Sequence, residues 1–272
     1  MFKPTCLLTL VLALLIGGTG ANAAVPKRIV SILPSATEVL YALGLADRIV
    51  ADTTNCDYPP AAKAKPHIGD MNVNIEAIIA LKPDLVVGDS DWNSRDVARL
   101  RQLHIDVFAP HPTSMRDVEN ELIFLGQLTG TTARAKVIVN TMQARERLAA
   151  RMAKQNHRRP KVLEIAGHDP LYVSGQDTFI GQMVNLAGGI NVVTAQGFPN
   201  WSKETAIASM PDLILCGADT ARQIAADPAW RIVPAVREHH ISTIPSDLIE
   251  RPGPRLADGL LQVARLIHEV AK

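Results

Sequence analysis

Aromatic residues are scarce in this chain: three Trp, three Tyr and five Phe among 272 residues. Cysteine is as rare, at three, and no C-x-x-C pair occurs, which excludes a dithiol redox motif and the usual zinc-ribbon ligand sets. There is no G-x-S-x-G elbow, no G-x-x-x-x-G-K-[ST] loop and no G-x-G-x-x-G turn, so the familiar hydrolase, nucleotide-binding and dinucleotide-binding signatures are missing. An enzyme, for instance a hydrolase, would need a less familiar constellation. The eight His include no H-x-x-x-H pair and no His-rich tract, so no stretch by itself makes a metal site. His239 and His240 are adjacent, and neighbours in an extended segment point to opposite faces. Charge of one sign is also lacking: 28 basic residues face 27 acidic ones. That balance argues against nucleic acid, which rewards concentrated positive charge.

What is present first is an apolar start. Lys3 precedes an apolar run from Leu7 to Ile16, Gly17-Gly18 breaks it, and Ala21-Asn22-Ala23 supplies the small residues of a cleavage site. We read residues 1–23 as an export signal cut after Ala23. The run falls short of the roughly 20 residues of a membrane span, and Cys6 lies too early for a lipid-anchored mature N-terminus. The mature chain then carries 27 basic and 27 acidic residues and is expected to be soluble outside the cytoplasm, in the periplasm. The full sequence is 47% hydrophobic, enough for real cores. Cys56 and Cys216 remain, and we expect two unpaired thiols, because a bridge would have to cross between two halves of the protein.

Those halves are visible as a repeat. Residues 75–87 read IEAIIALKPDLVV and residues 204–216 read ETAIASMPDLILC. Glu76 aligns with Glu204 and Pro83-Asp84-Leu85 with Pro211-Asp212-Leu213. Each copy predicts a short helix that closes before the proline, followed by a buried strand. Used twice at such a distance, the unit implies two lobes of like construction with a cleft between them, a favoured place for ligands.

The rest of the chain fits alternating strands and helices. Strands are predicted at Arg28–Leu33, Ile49–Ala51, His104–Phe108, Val162–Ala166, Leu171–Ser174 and near Ile241–Ile244. Helices are predicted after Pro34, capped by Ser35 or Thr37, and at Arg95–Leu103, Thr113–Thr129, Thr178–Ala187 and Leu256–Val270. From Thr132 to Asn156 there is neither Gly nor Pro, which predicts one long helix of about 24 residues. The expected fold is therefore α/β: two similar lobes with central parallel-type sheets, joined by one long rigid helix. The lobes are expected at 24–131 and 158–272, with the link at 132–157.

Candidate ligand contacts lie in the loops. Asp52–Asp70 is too long for a plain connector. Tyr58, Trp92, Phe198 and Trp201 fall in predicted loops, with Asp57, Asp247, Glu250 and Arg251 beside them or in a matching loop. Flat apolar faces with a few charged groups suit a large planar ligand bearing polar substituents, although each ring could instead cap a core. His67 is either a surface loop residue or an axial ligand. Glu76 and Glu204 each fall in a first helical turn, where an acid gains from the helix dipole. As a pair, one per lobe, they also suit symmetric docking to a two-fold partner through an Arg on each partner subunit.

Taken together, RIVSILPSATEVLYALG, CDYPP, the two repeat copies, the helix ended by Gly188-Gly189, NWSKE and SDLIERPGPR resemble the periplasmic substrate-binding proteins of ABC importers that have a single linking helix. That class serves cobalamin, haem and iron siderophores, and the resemblance covers residues 28–270. CDYPP and DLIERPGPRLADGL are most similar to the cobalamin branch. The resemblance implies a non-enzymatic protein, monomeric when free, with no resident cofactor. Cobalamin or a related corrinoid would be carried between the lobes and handed to an inner-membrane permease dimer. It implies contacts from Asn55, Cys56, Asp57 and Tyr58, from Asp247 to Arg251, and from Phe198, with Glu76 and Glu204 docking on the permease. Where cobalamin binders carry one aromatic contact, this chain has Asn55. Haem or a ferric siderophore is the alternative, with His67 or Tyr58 on the iron.

Overall fold

The computed structural model describes residues 24–272; the expected export segment lies outside them. The first lobe is built on β1 (Ile29–Ser31), β2 (Ile49–Ala51), β3 (Leu85–Val87) and β4 (Val107–Phe108), with α1 (Pro34–Ala42), α2 (Ile75–Ala80), α3 (Ser94–Gln102) and α4 (Met115–Leu128) between and after them. All its strand pairs are parallel, in the order β2-β1-β3-β4. The link is α5 (Thr132–Ala153). The second lobe has β5 (Lys161–His168), β6 (Leu171–Val173), α6 (Phe179–Leu186), β7 (Ile190–Asn191), α7 (Lys203–Ala208), β8 (Leu213–Cys216), α8 (Ala218–Ala226), α9 (Pro234–Arg237), β9 (Ile241–Thr243) and α10 (Leu256–Ala271).

In the second sheet β8 and β9 run parallel to β5, and β7 pairs in parallel with its start. β6 is antiparallel to the end of β5. The predicted turn at Gly167–Pro170 is the reason: β5 runs on to His168 and folds straight back, and so short a link can join only antiparallel strands. A second departure concerns α1. It begins at Pro34, with no side-chain cap, because a proline at the first helical position has no N–H to satisfy. Thr37, expected as a possible cap, instead hydrogen-bonds Ser31 and the Cys56 sulfur. The α9 segment and the 3-10 turn Pro228–Ile232 before it are additions to the expected elements, both opened by proline.

The repeated unit has the same backbone in both lobes. Lys82 and Met210, aligned in the repeat, adopt the left-handed conformation at φ 46° and 48° and stop their helices before the proline. The aspartate that follows ties strands together. Asp84 accepts the N–H groups of Lys27 and Arg28 at 2.8 Å each, and Asp212 accepts that of Lys161 at 2.7 Å. Each carboxylate thus anchors the start of the strand next to its own.

Alternation along the strands fills both faces of each sheet. Val30, Ile32 and Val86 pack outward under α2 and α3, and Leu163, Ile165, Ile214 and Cys216 pack around the fully buried Trp230. The opposite faces, Ile29, Leu85 and Val87 in one lobe and Val162, Leu213 and Leu215 in the other, belong to one continuous apolar cluster with α1, α4, α5, α6 and α10. The lobes are therefore joined by shared core as well as by α5, and separating them would expose apolar surface.

Candidate functional site

Parallel strands send their connecting loops to one rim of the sheet. In the first lobe the loops after β1, β3 and β4 deliver Leu33–Ser35, Asp89–Trp92 and His111–Thr113 to the side facing the second lobe. Opposite them stand Asp177–Ile180 at the start of α6, Gly197-Phe198, and the segment 246–252 that follows β9. Two cavities lie between, of about 450 and 300 Å³. Trp92, Glu250 and Pro252 line both, so the cavities form one cleft. Trp92 is 66% exposed and Phe198 49%, two large apolar rings left in water on opposite lobes. A depression of about 690 Å³ along α3 is lined by first-lobe residues alone. In the second lobe Glu250 also closes a cavity of about 450 Å³ walled by Glu164 and Cys216.

Burial sets the acid chemistry of that wall. Burial pushes Glu164 up to about 8, against the Ser174 hydroxyl that donates to it and with the charge of Glu250 adding to the rise. Burial, then the neighbouring Asp247, raises Glu250. Burial, then Glu164, pushes the Cys216 thiol up to about 12, so it is an unreactive protonated thiol.

A charged network ties the second lobe's 246–255 segment to the first lobe. Arg255 clasps Glu38 of α1 with two bonds, Nε to Oε1 at 2.9 Å and an Nη to Oε2 at 2.7 Å, and its guanidinium lies 3.6 Å over the Tyr58 ring. Arg251 bonds Asp57 across the lobes and Asp247 on its own turn, each at 2.9 Å. Burial alone would raise Asp57, but the Arg251 bond and charge hold it below the usual carboxylate range. The hydrogen bond and charge of Glu38 likewise raise Arg255.

The expected residues are distributed as follows. Trp92, Phe198, Asp247, Glu250 and Arg251 line the cleft. Asp57 and Tyr58 join the network beside it. Asn55 is exposed in the preceding turn, while Cys56 is buried with its sulfur between the Thr37 and Thr53 hydroxyls. Both Cys56 and Cys216 are free. Trp201 packs, partly buried, on the second-lobe core and donates its backbone N–H to Leu171. The Nδ1 of His67 lies 2.9 Å from the buried Asp52 carboxylate, and the two residues bridge as an extension of β2, at the sheet edge away from β4. Glu76 and Glu204 are exposed at the second position of α2 and α7, each helix capped by a side chain, Asn74 and Ser202. Its own backbone N–H and the Ser202 hydroxyl hold Glu204 below the usual range.

Four further residues were not singled out from sequence: Glu38, Arg255, Asp89 and His111. Glu38 had a signal, as the lone acid of an otherwise apolar and small-residue helix, since a buried acid needs a partner. His111, flanked by Pro110 and Pro112 beyond a strand, had only its place in the chain. Among the described residues no group of three or more His, Cys, Asp or Glu is placed to hold a bare metal ion. No helix among them is long and apolar enough to cross a membrane.

Comparison with known proteins agrees with this architecture. The family model described as periplasmic binding protein matches residues 29–248. An uncharacterised ABC transporter substrate-binding lipoprotein of Bacillus subtilis is 32% identical over 89% of this chain and 80% of its own. The solved periplasmic vitamin B12-binding protein of Vibrio cholerae superposes with a TM-score of 0.82 at 25% identity, over 91% of this chain and 98% of that one. A periplasmic haem-binding protein from Roseiflexus gives 0.80 at 26% identity, over 90% and 99%.

Proposed function

The chain belongs to the periplasmic binding protein family and is a substrate-binding protein of an ABC transporter, and we propose that its substrate is a corrinoid, cobalamin or a close relative, held between the lobes. The observation that carries this reading is the pair of exposed rings, Trp92 and Phe198, lining one cavity from opposite lobes. Apolar faces of that size left in water gain by covering a broad, flat molecule. The polar groups beside them, Asp247, Glu250 and Arg251, suit amide or hydroxyl substituents at its rim. Similarity to a vitamin B12-binding protein supports the same ligand class.

In this reading the protein is exported and non-enzymatic, and it returns its ligand unchanged. Delivery runs through Glu76 and Glu204, which stand exposed on matching capped helices of the two lobes and suit a permease dimer presenting an Arg from each subunit. Reversing both charges is expected to abolish delivery while leaving ligand capture intact. The second reading, haem or a ferric siderophore, draws on the likeness to a haem-binding structure and on an imidazole in the cleft.

Titration of the mature protein with cyanocobalamin, cobinamide and haemin, followed by calorimetry and absorbance, separates the two. Saturable one-to-one corrinoid binding without haemin binding is expected. Haemin binding with a shifted Soret band, and silence towards corrinoids, would overturn the corrinoid reading.

A further inference from the structure

Within the cleft one side chain is built like a metal ligand. The Nδ1 of His111 lies 2.9 and 3.1 Å from the two carboxylate oxygens of Asp89. Asp89 is buried and rigidly placed: its Oδ1 also accepts the N–H groups of Asp91 and Trp92, and its own N–H donates to Asn93. A carboxylate there makes Nδ1 the protonated nitrogen, which leaves the lone pair on Nε2. Pro110 and Pro112 restrict the backbone on either side, and Gln182 of the second lobe donates to the Thr113 carbonyl at 2.7 Å. The imidazole, partly exposed, lines the cavity with Trp92, Phe198 and Glu250.

A single basic nitrogen cannot hold a bare ion, and no triad of ligating residues exists among the described residues. It can complete a metal whose other positions are already filled by a planar macrocycle. Resting on the corrinoid reading, we propose that His111 coordinates the cobalt of a bound corrinoid that lacks its own axial base, so that the protein takes incomplete corrinoids as well as complete ones. The Nε2 lone pair displaces one cobalt-bound water, the proton stays on Nδ1, which donates a hydrogen bond to Asp89, and no electron is transferred. His67 has the same carboxylate pairing with Asp52 but stands at the far edge of the first sheet. It serves as the internal control.

The test is diaquocobinamide titrated into the mature protein, with cyanocobalamin, whose axial positions are filled, in parallel. Wild type and His67→Ala are expected to bind diaquocobinamide with the visible-band shift of nitrogen ligation. His111→Ala and His111→Gln are expected to bind it about tenfold or more weakly and without the shift, a larger loss than either variant shows for cyanocobalamin. Added imidazole is expected to restore the shift in His111→Ala. Calorimetric binding of diaquocobinamide by wild type without a shift, or a shift that survives in both His111 variants, would overturn the ligand role and leave the corrinoid reading standing. Failure of both corrinoids to bind wild type would overturn the reading underneath it.

Discussion

Arg255 and Glu38 are 217 positions apart in sequence and form a doubly bonded polar tie between the lobes. Glu38 is 3% exposed and Arg255 19%, so the pair is largely shielded from water. Removing one partner of a buried, doubly bonded pair leaves the other charge stranded, at a cost of roughly 3–5 kcal/mol. Arg255→Met also forfeits the stacking over Tyr58, of order 1 kcal/mol, whereas Glu38→Gln keeps shape and leaves Arg255 with Asp247 at 3.7 Å, so its cost should fall towards about 2 kcal/mol. The double variant Glu38→Met with Arg255→Met replaces both charges by apolar chains and is expected to recover much of the loss. Urea unfolding followed by circular dichroism measures all three together with the single Glu38→Met. For a chain of this size a loss of about 3 kcal/mol corresponds to about 6–12 °C in Tm. A single Arg255→Met variant that loses under about 1 kcal/mol, or a double variant as unstable as the sum of the singles, would refute the reasoning that burial makes this pair matter.

Trp92→Ala and Phe198→Ala are expected to leave Tm within a degree or two, because both rings are already in water, yet to weaken corrinoid binding by about 2 kcal/mol each, roughly 30-fold; calorimetry decides. Glu164 holds its proton in the folded state up to about 8 and releases it near 4.5 when unfolded, so its contribution is fully present below pH 4.5 and lost as pH rises through about 8. The total is on the order of 5 kcal/mol. Glu164→Gln should flatten Tm between about pH 4.5 and 8, leaving a residual slope from Glu121, which burial also pushes up to about 8; an unchanged slope would count against this. Gly259 sits where a Cβ would come within 1.9 Å of the Leu248 carbonyl oxygen. Gly259→Ala therefore must push the 246–252 segment off α10, with about 1–3 kcal/mol lost and weaker ligand capture, whereas a variant of wild-type stability and affinity would show that the segment yields freely.

Much of the scaffold was legible because its signals are local. The Gly- and Pro-free run after Thr132 could only be a long helix, and α5 fills all but its last few residues. Pro83 and Pro211 end their helices in both lobes, with Lys82 and Met210 taking the same left-handed turn. The loops that line the cleft follow strand ends, as a parallel α/β reading requires. Departures arose where the local signal was ambiguous: the hydroxyls of Ser35 and Thr37 looked like caps, while Pro34 opens the helix without one.

By itself, then, the sequence determined the two-lobed α/β plan, the linking helix, the paired glutamates and the loops from which a site could be made, since caps, prolines and apolar periodicity act over a few residues. Only the tertiary structure decided which side chains meet. It turns Cys56 into the core and Trp201 onto it, aims Glu38 at Arg255, and sets His111 rather than His67 in the wall of the cleft. Both histidines follow a strand and both pair with an aspartate. What separates them is the order β2-β1-β3-β4 across the sheet, a relation among residues far apart in the chain that no local pattern encodes.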